Sequence, residues 1–575
     1  MSVAGDPAPV LRVRWLGRVR YRDTDALMHA LAEQSPDNHL LLVEHPPTYT
    51  LGVRADPAHV LVPPSEVGAE LVRADRGGDV TYHGPGQLVA YPVLALPGKG
   101  AGDQPDTVAY VHAVEQLVID TLADLGLPGA SRLDGYPGVW VGADGPSPRK
   151  IAAIGVRIRR GRTLHGLALN VHPDLTMFEH IVPCGIPDKG VTSLAAEGLG
   201  TTMREAADAL VARATARWSP DGAFERADLA WRAPQLAPFS TNGAGRAGAA
   251  DTATAGHVEL SPQRQARLTE AGVTEGLQIA TRKPEWARAK VRITPEYLRL
   301  KRTMRDLELT TVCEEAGCPN IFECWAEGTG TFMINGERCT RACGFCLVDT
   351  SKPLPLDPAE PEHVADAVAR LGLSYAVVTC VARDDLPDGG AGAFAATIHA
   401  IRRRSPDARV EVLISDCKGD PDALDTVFAA RPDVLNHNIE TVLRLQRAVR
   451  PSAGYARSLA VLARAKAAGL VTKSSIMVGI GETDDEVAAT FADLHAVGVD
   501  IVTVGQYLRP TAQHLPVTRW ITPEQFERFR LLGEELGIPH VEASPLTRSS
   551  HHAAQAYERA TSRVQMAMLQ PGARS

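Results

Sequence analysis

The chain has 575 residues, 44% hydrophobic and 22% charged, which excludes a disordered or fibrous protein and predicts about two to four domains with cores of their own. Sixty Lys+Arg against 68 Asp+Glu leave a formal charge of -8, a balance unsuited to coating nucleic acid. No apolar run approaches the roughly 18–20 residues of a membrane span, and residues 1–20 carry no apolar secretion core. A cytoplasmic protein with no membrane partner is therefore expected. Of nine cysteines, Cys184 stands alone in the first half. Six lie between Cys313 and Cys346, and Cys380 and Cys417 follow. An odd number without a secretion signal argues for metal thiolates and a catalytic thiol rather than disulfides.

The first half reads as short strands and hairpins with a few helices, a mixed α/β layout with a partly antiparallel sheet. Val108, Val111, Val114, Leu117, Val118, Leu122 and Leu125 keep a helical spacing, with Asp106 as N-cap and Gly126 as the stop. Strands are expected at 139–141, 151–158 and 167–171. Arg157, Arg159, Arg160 and Arg162 form a basic strip at a hairpin tip, suited either to solvation or to docking an acidic partner.

Cys184 lies in Pro183-Cys184-Gly185-Ile186. Taken alone, a cysteine beside proline and glycine is more often a packed small residue. An ammonium held near it, for which Lys150 is the candidate, would favour the thiolate and make a nucleophile. Four further motifs precede it: Glu44-His45-Pro46-Pro47, RGGDVTYHGPGQ from Arg76 to Gln87, RKIAAIG from Arg149 to Gly155, and HGLALN from His165 to Asn170. In this order and spacing, Trp15 to Ala196 resemble the octanoyl-acyl-carrier-protein:protein N-octanoyltransferases. That family has the biotin/lipoyl protein ligase-like α/β fold. The resemblance implies that Cys184 takes octanoate from the carrier's thioester and passes it to a lysine of a lipoyl domain, with Lys150 favouring the thiolate and relaying protons. It also implies substrate contacts from Arg76, Gly77, Gly78, Asp79, Val80, Thr81, Tyr82, His83, Ala153, Ile154, Gly155, Gly166, Leu167 and Ala168. The implied partners are octanoyl-acyl carrier protein, the lipoyl domains of 2-oxoacid dehydrogenase complexes and the glycine cleavage H protein.

Between Phe239 and His257 the chain runs STNGAGRAGAADTATAG, small and polar without periodicity. This is linker composition, with an r.m.s. span of roughly 20–25 Å. Domains are therefore expected at 1–238 and 261–575, with a flexible linker at 239–260. Beyond it, strand candidates at 331–334, 376–379, 410–414, 434–439, 475–478 and 501–504 alternate with helix-length segments such as 484–497. This alternation predicts βαβ units and a full or partial parallel barrel, with chemistry on the loops after the strands.

Cys339, Cys343 and Cys346 stand in C-x3-C-x2-C spacing on the loop after the first of these strands. Three thiolates on a short loop can hold three irons of a [4Fe–4S] cluster and leave the fourth iron open, whereas structural zinc wants four ligands. The spacing, with Phe345, resembles the radical S-adenosylmethionine (SAM) superfamily. That likeness implies SAM on the open iron, its reductive cleavage to a 5′-deoxyadenosyl radical, and a low-potential electron donor.

A second triplet, Cys313, Cys318 and Cys324, lies just upstream. Together with VARDDLPDGGAGAF, NHNIETV, MVGIGET, VGQYLRPT and RSSHHA, it makes residues from Arg292 to Ala553 resemble lipoyl synthase. The likeness implies a second, auxiliary [4Fe–4S] cluster that supplies sulfur, held by this triplet and a serine of Arg548-Ser549-Ser550, Ser550 being the choice over Ser549. The chain has Cys380 and Ala382 where the family usually has serine and aspartate, and His551 where it has tyrosine. Cys380 and Cys417 read as buried reduced thiols. Gly479-Ile480-Gly481-Glu482 reads as a SAM-contacting segment or a tight turn. The combined expectation is a fusion that attaches octanoate to a lipoyl-domain lysine and then inserts sulfur at C6 and C8. The alternative is a lipoate–protein ligase or amidotransferase joined to an iron–sulfur scaffold.

Overall fold

The computed structural model describes residues 9–98, 105–219, 221–231, 260–278, 281–288, 298, 302, 320 and 329–569. The expected linker and the cysteines of the upstream triplet lie outside them. The described chain forms two compact units. One is built on the chain up to Leu229 with Tyr455–Gly469 and Ala489–Val499, and the other on Ala230–Gly454, Leu470–Ala488 and the chain from Asp500 onward.

The first unit is built on a mixed sheet. Its strands are β1 (Leu11–Arg18), β2 (Asn38–Glu44), β6 (Gln87–Val93), β7 (Ala130–Leu133), β8 (Tyr136–Val141), β9 (Arg149–Arg159), β10 (Arg162–Asn170), β11 (Gly190–Val191) and β12 (Phe224–Asp228). They run in the order β12-β1-β2-β6-β10-β9-β8-β7, with β11 beside β9. Strand β1 pairs in parallel with both neighbours, and from β2 to β7 every pair is antiparallel. A small sheet, β4 (Glu70–Arg73), β3 (Thr48–Leu51) and β5 (Val80–His83), stands apart.

Three helices cover the large sheet. Helix α1 (Tyr21–Gln34) packs on β6 and β10, while α2 (Thr107–Asp124) and α3 (Met203–Trp218) pack on each other and on β9, β6 and β1. Of the α2 stripe predicted from sequence, Val114, Leu117, Val118 and Leu122 are fully buried, whereas Val108 in the first turn is 65% exposed. Asp106 caps the helix by accepting from Ala109 N at 3.0 Å, and Gly126 ends it at φ +93°. Capped at one end and stopped at the other, this apolar stripe fixes the sheet face on which the first cavity opens.

In the second unit seven strands pair in chain order and all in parallel: β13 (Thr329–Ile334), β14 (Tyr375–Cys380), β15 (Arg409–Leu413), β16 (Val434–Asn436), β17 (Val471–Val478), β18 (Ile501–Gln506) and β19 (His540–Ser544). Among the described residues β13 and β19 do not pair, so the barrel is open, in agreement with the partial barrel expected. All six strand candidates are strands; β16 ends at Asn436 rather than 439 because the next residues turn outward toward the cavity below. Strand β19, His540-Val-Glu-Ala-Ser544, is an addition, since its polar edge residues gave no apolar run to read. Among the described residues no helix is long and apolar enough to cross a membrane.

Candidate functional site

In the first unit, β5, β6, β9, β10 and the Cys184 loop enclose a cavity of about 440 Å³. Cys184 and Lys150, 34 positions apart in sequence, both line it. So do Arg76, Gly77, Gly78, Asp79, Thr81, His83, Ala153, Ile154, Gly155, Gly166, Leu167 and Ala168. Val80 and Tyr82 are the exceptions. Side chains alternate along β5, so these two turn to its other face and bury against Tyr49, Leu51, Phe178 and Ile181.

Cys184 is half-buried in a short 3-10 turn and adopts φ 58°, ψ 19°, the left-handed region that is uncommon for a residue with a side chain. Gly185 follows at φ +69°, and a Cβ there would lie 2.8 Å from Asp79 Oδ2, the oxygen that meets His59 Nδ1 at 2.8 Å. The turn is thereby packed onto the RGG segment, which places the thiol at the cavity. Lys150 is 7% exposed, its ammonium 4.8 Å from the centre of the Trp140 ring.

Arg76 is buried too and donates to Thr50 O (2.7 Å), Thr50 Oγ1 (2.8 Å) and Gly77 O (3.0 Å). Burial lowers its pKa, opposed by Tyr21, Cys184, Tyr91 and Asp79, so a second cation lies within electrostatic reach of the Cys184 side chain. The far wall is apolar, with Val89, Val111, Ile154 and Leu167. Gly166 is required there, since a Cβ would stand 2.2 Å from Ala90 O on the adjacent strand.

His165 and Tyr21 are among the cavity groups outside the candidate set drawn from sequence. His165, at φ 58°, lies between Asp75 (Nε2–Oδ1 2.6 Å) and the Tyr21 hydroxyl (3.4 Å). Its place in HGLALN was the available signal; Tyr21 had none. The basic strip does form the β9–β10 hairpin tip, but Arg157 pairs with Asp75, Arg159 with Glu33 (3.2 Å) and Arg162 with Asp37 O. Most of its charge is engaged within the fold.

In the second unit a cavity of about 480 Å³ opens at the C-terminal ends of the strands. It is lined by Cys346 after β13, Asn438 and Glu440 after β16, Met477 on β17, Tyr507 and Arg509 after β18, and Arg548, Ser549 and Ser550 after β19. The cysteine loop is held from several sides. Cys339 N donates to Asp349 O (2.8 Å) and Gly344 N to Val449 O (2.8 Å). Arg341 is buried; burial alone would lower its pKa, but Asp384 (2.8 Å) and Asp416 (2.5 Å) hold it above the ordinary guanidinium range.

These residues suit an iron–sulfur cluster by their donor chemistry. Burial first, then the neighbouring thiols, push Cys346 up to about 12 despite a backbone hydrogen bond, and burial raises Cys343. Two thiols held up in this way ionise together only around a cation. Arg341 N (3.4 Å) and Ala382 N (3.3 Å) both donate to Cys339 Sγ. Ala382 O accepts from Thr340 N and Oγ1, each at 2.9 Å. Position 382 thus clasps the loop through its main chain, which alanine supplies as well as any residue.

Ser549 Oγ accepts from Asn438 Nδ2 at 2.7 Å. Cys417 is buried as expected, whereas Cys380 is half-buried; desolvation pushes Cys380 up to about 12 and Cys417 up to about 11, keeping both protonated at neutral pH. Gly479-Ile480-Gly481-Glu482 is a tight turn in which the buried Glu482 carboxylate accepts from Gly479 N (2.6 Å) and Ile480 N (2.9 Å). None of the four lines the cavity.

Three family models match the chain: the lipoyl protein ligase A/B catalytic domain over residues 21–215, the N-terminal domain of lipoyl synthase over 258–318, and the radical SAM superfamily over 333–494. Lipoyl synthase of Rubrobacter xylanophilus is 58% identical over 273 residues, 47% of this chain and 85% of the relative. That of Mycobacterium avium is 54% identical over 279 residues, 48% and 91%. Among solved structures, a bi-partite lipoate protein ligase from Thermoplasma acidophilum aligns with 39% of this chain and 88% of its own at 18% identity and a TM-score of 0.31. Cluster-loop geometry, parallel barrel and relatives agree: the chain belongs to the lipoyl synthase family of radical SAM proteins and carries, fused ahead of that part, a lipoate ligase/octanoyltransferase-like catalytic domain.

Proposed function

We propose that the chain performs two consecutive steps of lipoate assembly on the same protein substrate. In the first, Cys184 accepts octanoate from octanoyl-acyl carrier protein and passes it to a lipoyl-domain lysine. The observation that carries this reading is the single cavity in which Cys184, Lys150 and Arg76 meet an apolar wall. Attack by the thiolate forms the new C–S bond, and the carrier's thiol leaves and takes a proton. Attack by the lysine amine then forms the amide, releases one proton and returns the cysteine thiol. Lys150 is the group assigned to carry that proton, and the apolar wall receives the acyl chain.

In the second step, sulfur enters at C6 and C8 of the bound octanoyl chain. Cys339, Cys343 and Cys346 would hold the SAM-binding [4Fe–4S] cluster, which when bound supplies SAM cleavage and hence hydrogen abstraction from unactivated carbon. Arg341 and the Ala382 main chain orient the loop, and the cavity beside Cys346 receives SAM and the acyl chain. Cys313, Cys318, Cys324 and Ser550 would hold the auxiliary cluster. Ser550 is favoured over Ser549 because the Ser549 oxygen is already engaged by Asn438. The two activities occupy 1–238 and 261–575, tethered through 239–260. Octanoyl-acyl carrier protein, lipoyl domains and a low-potential electron donor are the partners.

The test is the intact mass of an apo lipoyl domain incubated with the cluster-loaded protein and octanoyl-acyl carrier protein, with and without SAM and reductant. Octanoylation without SAM and sulfur addition with it are expected. A domain left unmodified unless ATP and free acid are supplied would replace the first step by a ligase. An octanoylated domain that never gains sulfur would sink the second.

A further inference from the structure

Outside both cavities, nitrogen and oxygen donors converge where β19 meets the loop bearing Ser549 and Ser550. Glu542 lies within β19, and His551 and His552 end the loop just before the helix Ala553–Leu569. His552 Nδ1 stands 3.5 Å from Glu542 Oε1, and His540 Nε2, two residues earlier on the same strand face, stands 3.6 Å from Oε2. His552 adopts φ 50°, a strained conformation that brings two consecutive imidazoles to one side. Their rings stack with centroids 3.8 Å apart. One donor atom from each of Glu542, His551 and His552 lies within 4.8 Å of the others. His540 and His551 are 5% and 7% exposed.

We propose that Glu542, His551 and His552 form a binding site for a first-row divalent cation, with His540 as a further donor in reach. Two imidazoles and one carboxylate are a donor set suited to Zn²⁺ or Fe²⁺. Bonds of about 2.0–2.2 Å in tetrahedral geometry place ligand atoms about 3.4 Å apart. The His552–Glu542 pair already has that separation, and a His551 donor atom lies within 4.8 Å of both. Among the described residues, the ion pairs of Glu542 are with His540 and His552. By contrast, in the Asp25–His29–Asp75–His165 group a guanidinium, Arg157, already occupies Asp75. A bound ion would tie the Ser549–Ser550 loop, which lines the second cavity, to β19.

The test adds Zn²⁺ to the full-length, anaerobically cluster-loaded protein, so that cluster cysteines are occupied. Retained zinc is counted after desalting, and X-ray absorption reads its neighbours. About one zinc per chain with nitrogen and oxygen at about 2.0–2.1 Å is expected, with affinity at least tenfold weaker in each of Glu542→Gln and His552→Gln. No retained zinc, undiminished affinity in the variants, or sulfur neighbours at about 2.3 Å would overturn the site. A readout free of variants is the unfolding midpoint of the wild-type chain, which Zn²⁺ should raise and a chelator restore; an unchanged midpoint counts against the proposal.

Discussion

At Cys184 the backbone does as much as the side chain. The left-handed turn at Cys184 and Gly185 aims the thiol into the cavity, and it closes only because position 185 has no Cβ to meet Asp79. Gly185→Ala is therefore expected to destabilise the first unit by about 1–3 kcal/mol and to slow acyl transfer, read by urea unfolding and by the rate of domain octanoylation. Wild-type stability with wild-type rate would mean the turn relaxes freely. Lys150 makes a separable prediction. Lys150→Met keeps an aliphatic stem over Trp140, so the fold should persist while octanoylation drops by about 10²–10⁴-fold. A rate within threefold of wild type would remove it from proton transfer. Cys184 and Lys150 were legible because their motifs stand in a recognisable order. His165 had its place in HGLALN as a signal, whereas Tyr21 had none, because nothing local in sequence says that a residue of α1 meets His165 across the sheet.

At the scale of elements, strand alternation separates cavity-lining residues from core. Thr81 and His83 face the cavity, whereas Tyr82 is 2% exposed within the small-sheet core. Tyr82→Ala should cost about 3–5 kcal/mol, while Thr81→Val should leave stability within about 1 kcal/mol and change the KM for the octanoyl donor; equal stability losses would contradict the assigned faces. The motif RGGDVTYHGPGQ named both sets together, since a motif does not say which residues alternate inward.

The same burial makes both units acid-sensitive. His45, held between Val19 O and the Tyr91 hydroxyl (2.7 Å each), is pulled by burial to about 4, as is His437 in the second unit. Unfolded, each takes its proton near pH 6.5. Between about pH 6.5 and 4 the unfolded state therefore binds more protons, so stability falls as pH drops and neither group contributes a slope above about 6.5. From pH 7 to 5 each should remove about 2 kcal/mol, and urea midpoints that stay level over that range would show that these imidazoles are not held neutral.

For the whole molecule, the two-domain reading came from composition, because a small, polar, aperiodic stretch separates two different hydrophobic textures. Why two enzymes should share a chain follows from tether physics. On the proposed reading, a lipoyl domain leaving the first site would find the second, carried on the same chain, at an effective concentration above that of the bulk enzyme. The advantage should therefore be largest in dilute enzyme. A competition measures it: an apo lipoyl domain and a mass-tagged, already octanoylated domain are offered together with octanoyl-acyl carrier protein, SAM and reductant. The fused chain should convert the domain it has just octanoylated in preference to the tagged one, whereas equimolar separate halves should show no preference beyond that set by concentration. Equal use of the two domains by the fused chain would mean that each octanoylated domain escapes to bulk before the second site captures it, leaving co-expression in fixed ratio as the remaining benefit of the fusion.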